Sequence, residues 1–277
     1  MIALLPIKKQ SKIMKTQFFK KIILLIAVFY IPLQSMAWGP TGHRVCGQIA
    51  DSYLTPKARK VIQGILGYES IAIGSNWADF IKSDPAYNYL YTWHFIDLDK
   101  AYTYPELQAY LKADTATDAY TKMNFLIAEL KKPNLSKTNK QVYLHMLIHI
   151  VEDVHQPLHT GHTSDKGAND IKVQWFGKES NLHSVWDSGL IDFQQLSYTE
   201  YATMINHTTA AERAKLQSAP ISEWLFESNQ LAEKLYADTK TGDSLSYKYN
   251  FKYIDILNHQ MLKAGVRLAG VLNKIFG

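Results

Sequence analysis

The segment HMLIHIVEDVHQPLH, residues 145–159, combines an apolar helical pattern with four histidines and two carboxylates. His149 and Asp153 are four residues apart, so on a helix their side chains project from the same face. Pro157 must end this helix, and the chain can then return His159 toward that face. Imidazole nitrogen and carboxylate oxygen bind zinc at about 2.0–2.2 Å, so the segment predicts a metal site. A buried helix whose histidines bond only backbone carbonyls is the alternative.

A second His-x-x-x-Asp pair occurs in the segment NLHSVWD, where His183 precedes Asp187 by four residues. Asn181 is a suitable N-cap, so this pair should also lie on one face of a short helix. Two such pairs indicate metal binding more strongly than either pair alone. The sequence contains no HExxH motif, which argues against a single-zinc metalloprotease.

The charge of the chain is concentrated in its first 37 residues. They contain six lysines and no acidic residue, and the remaining chain has 24 basic and 25 acidic residues, a net charge of −1 rather than +5. Nucleic-acid binding by that remainder would therefore need local features instead of a generally basic surface. The single cysteine, Cys46, excludes an internal disulfide. We interpret it as a small buried hydrophobe, with zinc binding as the alternative.

The first 37 residues have the layout of a secretory signal peptide, within which translation could also begin at Met14. A basic region, an apolar run and a small-x-small cleavage site follow one another, formed by Lys15, Lys20 and Lys21, by residues 22–31, and by Ser35-Met36-Ala37. The apolar run is short for a membrane span, which favours a cleaved signal peptide. An uncleaved membrane anchor is the alternative. The sequence thus predicts a domain at 38–277 that is secreted or periplasmic and has no membrane contact after cleavage.

Cleavage after Ala37 would leave Trp38 at the N-terminus of the mature chain, which then reads WGPTGHRVCGQIA. A free α-amine has a pKa of about 7.7–8.0 and can bind a metal once deprotonated. The Gly- and Pro-rich turn that follows could return His43 toward that amine. An N-terminal tryptophan that is only packed is the alternative.

The sequence predicts one mostly helical domain. Helices are expected at 43–66, with a second start at Thr55-Pro56, and then at 105–132, from about 140 to the 155 region, and at 188–209, 221–237 and 253–276. The Gly-, Asn- and Asp-rich stretch 160–181 surrounds the strand-like IKVQWF and predicts a loop or small hairpin. We therefore expect an all-α fold with a small β-hairpin or loop insertion. The sequence has no internal repeat, phosphate-binding glycine loop or GxSxG motif.

The metal-binding motifs form an ordered series along the mature chain. They are Trp38 with His43, Asp79 in WAD, His94 in HFID, His149-x3-Asp153-x5-His159 ending in QPLH, and His183-x3-Asp187. In type, order and spacing this series resembles the S1/P1 family of zinc-dependent nucleases over nearly the whole mature chain. The resemblance implies an α-helical, secreted protein that holds three zinc ions in a cleft.

The resemblance also implies which residues bind each zinc ion. One zinc would be bound by Asp79, His94, His149 and Asp153. A second would be bound by the Trp38 α-amine and carbonyl, His43 and Asp153. Asp153 would then bridge a close pair of ions. The third would be bound by His159, His183 and Asp187.

Four further residues acquire roles from the same resemblance. The Phe95 ring would stack on a nucleobase, and the Asp97 carboxylate would accept a base N–H. Lys82 and Asn169 would join Asp79 and Asp153 as catalytic groups near the scissile phosphate. Lys82 stands where many family members have arginine, and it offers a point charge instead of a bidentate fork. Ala168 departs from the family's Gly-Gly-Asn-Asp pattern at 167–170, and no ligand role is implied for His145, His155 or His162.

Zinc would explain how a domain of net charge −1 acts on a polyanion, because three ions supply about six positive charges. Stacking is worth roughly 1–3 kcal/mol per base and requires an unstacked base, which favours single strands. The resemblance thus implies a phosphodiesterase that hydrolyses single-stranded DNA and RNA to 5′-phosphate products, with 3′-nucleotidase activity on 3′-nucleotides and no stable protein partner. A zinc-dependent phospholipase C is the alternative enzyme, although Phe95 and Asp97 favour a base over a lipid headgroup. A non-enzymatic zinc-binding protein is the third hypothesis.

Overall fold

The computed structural model of the chain describes residues 38–277, so the predicted signal peptide lies outside the described residues. The longer helices are α1 (Pro40–Ser52), α2 (Pro56–Leu66), α3 (Tyr104–Ala113), α4 (Ala119–Leu130), α5 (Lys137–Asp153), α6 (Tyr198–Ile205), α7 (Ala210–Ser218), α8 (Ile221–Asp238) and α9 (Tyr247–Phe276). Single helical turns occur at Ile71–Gly74 and Trp77–Phe80, and 3-10 segments at Ile81–Ser83, Pro85–His94, Pro157–Thr160 and Thr163–Asp165. One irregular helical segment consists of Leu182–Ser184, a π-helical turn at Val185–Gly189, and Leu190–Asp192. The strands are β1 (Lys172–Trp175), β2 (Lys178–Asn181) and β3 (Ser244–Leu245).

Helix α5 is the central element of the fold, and all its residues from Leu144 to Asp153 are buried. A helix that is apolar on every side must be surrounded by others, and α2, α4 and α9 all contact it. It begins at Lys137, slightly before the predicted start, because Ser136 caps it by accepting a hydrogen bond from the Asn139 amide. The helix ends at Asp153. Pro157 begins a 3-10 turn that contains His159, which agrees with the helix end expected from this proline.

The predicted insertion is a β-hairpin. Strands β1 and β2 pair antiparallel, with Lys172 opposite Asn181. Phe176 and Gly177 both have positive φ, as the tight turn between two hairpin strands requires. The sequence did not predict β3, which pairs parallel with β1 and completes a three-stranded sheet. The expectation of a mainly helical fold with a small β insertion is confirmed.

Two predicted helices differ from the observed ones. The helix predicted at 188–209 is wrong, because Gln195 adopts a left-handed backbone conformation and Ser197 starts a new helix through a capping box with Glu200. Helix α9 begins at Tyr247 instead of residue 253. Tyr249 is the one buried side chain of its first turn, while Tyr247 and Phe251 are exposed, so no helical apolar pattern was visible there in the sequence.

Close helix packing holds the N-terminal helix in place. Cβ of an alanine at Gly265 in α9 would lie 2.6 Å from the Ile49 Cβ and 2.7 Å from the Cys46 carbonyl oxygen of α1. Only glycine permits this approach. Cys46 is fully buried in the core, as predicted. Within residues 38–277, no helix is both long and apolar enough to cross a membrane.

Candidate metal centre

Eight of the predicted ligand side chains lie buried around the C-terminal end of α5. Helix α1, the short turns before α3, α5 itself, the turn after it and the irregular helical segment supply them: His43, Asp79, His94, His149, Asp153, His159, His183 and Asp187. Their oxygen and nitrogen atoms form three groups, each with its members within 4.8 Å of one another: His43, His149 and Asp153; Asp79, His94 and His149; and His159, His183 and Asp187. The fold therefore brings together residues up to about half the chain apart.

Asp153 lies between the first two groups. Its Oδ1 faces Nε2 of His43 at 3.4 Å, while its Oδ2 lies 3.1 Å from Nδ1 of His94 and 3.2 Å from Nε2 of His149. The two carboxylate oxygens of Asp153 thus contact different imidazole rings. Asp79 completes the arrangement, with Oδ1 at 3.7 Å from His149 Nε2. A carboxylate in this position has the geometry to bridge two cations.

The third group contains the second His-x-x-x-Asp pair. His183 Nε2 lies 3.3 Å from Asp187 Oδ2, so the predicted pair does share one face, although the helix widens into a π turn between them. Asn181 caps this segment by accepting a hydrogen bond from the Ser184 amide, as predicted. π turns are frequent at functional sites, where they re-aim a side chain.

Backbone carbonyls fix the tautomers of three of these histidines. Nδ1 of His149, His159 and His183 each faces a carbonyl oxygen; the partners are Ser75, His94 and Gly167, at 2.6, 2.8 and 2.5 Å. A carbonyl can only accept, so Nδ1 carries the proton and Nε2 keeps its lone pair. This second contact is the one that metal-binding histidines commonly make.

Several acceptor atoms of these groups have no protein partner. Among the described residues, the buried polar atoms without a hydrogen bond include His43 Nε2, Asp79 Oδ2, His149 Nε2, Asp153 Oδ1, His159 Nε2 and Asp187 Oδ2. Buried polar atoms are almost always paired, because an unpaired one costs roughly 1–3 kcal/mol. Six acceptor atoms concentrated in one place suit bound cations, and imidazole and carboxylate are ligands that zinc accepts. The residues present therefore fit a metal centre.

Burial sets the protonation of the centre. It is the largest cause that lowers the pKa of His43, His94 and His159 well below the ordinary value, and it lowers the pKa of His183 to about 4. These imidazoles are therefore neutral near pH 7, as metal binding requires.

The pKa values of two acidic groups are raised, opposite to those of most of the histidines. Burial raises the pKa of Asp153 to about 6 and that of Asp187 well above its usual range. His149 differs from the other histidines: burial lowers its pKa, but the Asp153 and Asp79 carboxylates outweigh burial and raise it. Without metal, the carboxylates are thus the costly members of the centre.

Of the two residues predicted near the scissile phosphate, one reaches the centre. Lys82 Nζ contacts Asp79 Oδ1 at 2.6 Å, and its side chain is about one-fifth exposed. Asn169 instead donates its amide to the Lys166 carbonyl within its own loop, at 2.8 Å. Ala168 accepts a left-handed conformation in this loop, and the preceding Gly167 carbonyl holds His183.

The predicted base-binding pair follows His94 of the second group in the chain. Phe95 follows His94 in extended conformation. The next residues run alongside segment 159–161, because the Ile96 and Leu98 amides donate hydrogen bonds to its carbonyl groups. Ile96 and Leu98 point into the core, so the half-buried Phe95 and Asp97 share the opposite face. Burial is the first cause that raises the pKa of Asp97, followed by the neighbouring Asp99 carboxylate.

Sequence analysis missed Glu152. Its carboxylate is fully buried, and Oε2 accepts a hydrogen bond from His43 Nδ1 at 2.6 Å. This contact turns His43 Nε2 toward Asp153. The Trp38 indole donates to the Glu152 carbonyl at 2.9 Å, so the predicted mature N-terminus also packs here. The sequence did contain a signal for this role, because Glu152 places a carboxylate within the otherwise apolar segment of α5.

The three histidines without a predicted ligand role lie outside the three groups. Their partners are Glu69 for His145, the Val151 carbonyl and Arg267 for His155, and Glu233 for His162. Each therefore has a protein partner through at least one ring nitrogen, although Nδ1 of His145 has none among the described residues.

Asp187→Asn should stabilise the protein when zinc is withheld by a chelator. Burial raises the pKa of Asp187, so this group contributes stability below its unfolded value of about 3.9 and loses it as pH rises through the folded value. In the presence of the chelator, the Tm of the variant should be higher than that of wild type at about pH 7.5, and the difference in Tm should be smaller near pH 4. Zinc should reverse the order, because only wild type keeps the ligand. The same pH dependence in both chelated proteins would contradict this account.

The sequence of this chain is similar to those of known enzymes. The family profile described as S1/P1 Nuclease matches residues 38–277. Endonuclease 3 of Arabidopsis thaliana is 29% identical over 87% of this chain and 90% of its own length. Nuclease P1 of Penicillium citrinum is 29% identical over 87% of the chain and 98% of its own length, and nuclease S1 of Aspergillus oryzae is 27% identical over 86% and 91%.

Among solved structures, the alpha-toxin of Clostridium perfringens matches with a TM-score of 0.44 and 14% identity, covering 87% of this chain and 64% of the toxin. The family match, by contrast, includes every described residue of the chain. The chain therefore belongs to the S1/P1 nuclease family, and it is a hydrolase of nucleic-acid phosphodiester bonds.

Proposed function

We propose that this protein is a secreted or periplasmic enzyme that binds three zinc ions. Its proposed reaction is hydrolysis of single-stranded DNA and RNA to 5′-phosphate products, with 3′-nucleotidase activity on 3′-nucleotides. The observation that carries the proposal is the set of buried, unpartnered acceptor atoms in three neighbouring groups. Their number and spacing suit three cations better than one.

In this proposal the ligand sets are those that the sequence resemblance implied. Asp79, His94, His149 and Asp153 hold one zinc ion, and Asp153 also joins His43 and the N-terminal residue Trp38 at the second. The third set is His159, His183 and Asp187. Bound zinc would supply positive charge to phosphate oxygens and lower the pKa of water. The opposite orientations of the two Asp153 oxygens support its bridging role.

The N-terminus links export to assembly of the second site. The Trp38 nitrogen can bind a metal only as a free amine, because before cleavage its lone pair is delocalised in the Ala37-Trp38 peptide bond. The buried indole of Trp38 and its hydrogen bond to the Glu152 carbonyl support a position next to Asp153. Signal-peptide cleavage would thus complete the centre.

The protein's own side chains orient the substrate in this proposal. Lys82, which contacts Asp79, contributes a positive charge near the scissile phosphate. Phe95 stacks on a base, and Asp97 on the same face accepts a base N–H. Burial raises the pKa of Asp97, so acid conditions would protonate this acceptor at a higher pH than an exposed aspartate. Stacking on Phe95 requires an unstacked base, hence the preference for single strands.

A substrate comparison tests the proposed function. The zinc-loaded chain beginning at Trp38 should cleave single-stranded DNA and RNA much faster than duplex DNA, and should not hydrolyse phosphatidylcholine. End analysis should find 5′-phosphates. The Asp153→Asn variant, which loses a ligand of two sites, is the inactive control. Faster turnover of phosphatidylcholine than of single strands would replace the proposal with a phospholipase, and no turnover of any of these would overturn it.

Glu152→Gln should weaken zinc binding by about 10- to 100-fold, because it replaces the carboxyl group that contacts His43 Nδ1 and orients its ring. Glu69→Gln is the matched control, since Glu69 forms the same kind of pair with His145, at 2.8 Å, outside the three groups. Competition with a chelator measures zinc affinity without any assay of turnover. Equal affinities in the two variants would show that Glu152 does not position a ligand.

A further inference from the structure

The 3-10 helix Pro85–His94 has three faces with different environments. A 3-10 helix has three residues per turn, so side chains three positions apart lie above one another. The face of Tyr87, Leu90 and Trp93 packs against the core. Ala86, Tyr89 and Thr92 form an exposed second face. The third face ends at His94, which belongs to the candidate metal centre, and Tyr91 lies one turn before it.

Tyr91 occupies this third face with its ring in solvent. It is 64% exposed, although it is one helical turn from a fully enclosed ligand candidate. Its ring contacts the Phe95 ring edge-on, with centroids 5.8 Å apart and planes inclined by 78°. An exposed aromatic ring gains little stability for the fold, but it offers a large apolar surface to a ligand. Tyr91 thus extends the Phe95 surface away from the buried His94 and into solvent.

We propose that Tyr91 forms a second nucleobase-stacking site, which binds the base next to the one on Phe95 in a single strand. This inference rests on the proposed function of Phe95 and deepens it. The occupant is a nucleobase because the ring is continuous with that surface, and because Lys82 brings positive charge to the adjoining centre for the connecting phosphates. Aromatic platforms beside cationic groups are the usual means of binding single strands.

The angle between the two rings has a consequence for the substrate. Bases that stack on rings inclined by 78° cannot remain stacked on each other. The strand must therefore be splayed at this point, which a base-paired duplex does not allow without melting. Tyr91 would thereby add to the preference for single strands, and only for substrates of two or more nucleotides.

Tyr89 provides a matched control for the role of Tyr91. It lies in the same helix, is 56% exposed, and contacts Trp93 edge-on at 5.8 Å and 75°. Its local geometry is therefore almost the same as that of Tyr91, but its face is turned away from His94. An effect of losing a tyrosine ring from this helix would appear in both variants, whereas base stacking would appear only at position 91.

The experiment compares Tyr91→Ala, Tyr91→Phe and Tyr89→Ala in the zinc-loaded protein. The substrates are a 3′-mononucleotide and a single-stranded octanucleotide. Tyr91→Ala should raise KM for the octanucleotide by roughly 5- to 150-fold, the effect of one stacked base, and leave the mononucleotide unchanged. Tyr91→Phe keeps the ring and should behave as wild type, as should Tyr89→Ala. Anisotropy with a phosphorothioate octanucleotide gives the same comparison as a Kd, without turnover.

Three results would overturn the inference. One is an octanucleotide KM and Kd for Tyr91→Ala equal to those of Tyr89→Ala. Another is an equal loss on the mononucleotide, which would indicate damage to the neighbouring His94. The last is failure of wild type to bind the octanucleotide. Binding without cleavage by wild type would instead overturn the proposed function, while the Kd comparison would still decide the role of Tyr91.

Discussion

The structure depends on the burial of acidic and imidazole acceptors around the end of α5. Asp79, Asp153 and Asp187 lie within a few ångströms of imidazole nitrogens, and one oxygen of each carboxylate has no hydrogen-bond donor among the described residues. A protein interior tolerates charged carboxylates only when cations compensate them. The shifted pKa values of Asp153 and Asp187 express this cost. Bound metal cations would therefore offset the cost of burying these carboxylates.

The surrounding elements hold these acceptors at fixed positions. Helix α5 provides His149 and Asp153 from a segment that is buried on every side, and α9 fixes α1, which carries His43, through the close approach at Gly265. Carbonyl groups of the intervening turns fix three of the imidazole rings. Helix packing thus positions His43, His149 and Asp153, while the short turns supply the other candidate ligands and the carbonyl groups that orient three of the rings.

Much of this centre was accessible from sequence, because its ligands occur in pairs with helical spacing. His149 with Asp153 and His183 with Asp187 could be predicted from the period of a helix alone. The placement of Asp79 and His94 depended on resemblance to a family, since isolated residues carry no spacing signal. The role of Glu152 was missed, because its partner His43 is more than a hundred residues away. The face shared by Tyr91 and His94 was hidden too, since nothing in the sequence indicated a 3-10 helix at 85–94.

Anomalous diffraction at the zinc absorption edge, from crystals of the mature chain, tests the three-zinc centre most directly. The account predicts three peaks. Two should lie on either side of Asp153, one beside His94 and His149 and the other beside His43 and the Trp38 amine, and the third should lie between His159, His183 and Asp187. Ligand distances should be about 2.0–2.2 Å. Fewer than three peaks in zinc-saturated crystals, or a peak pair not bridged by Asp153, would contradict the account.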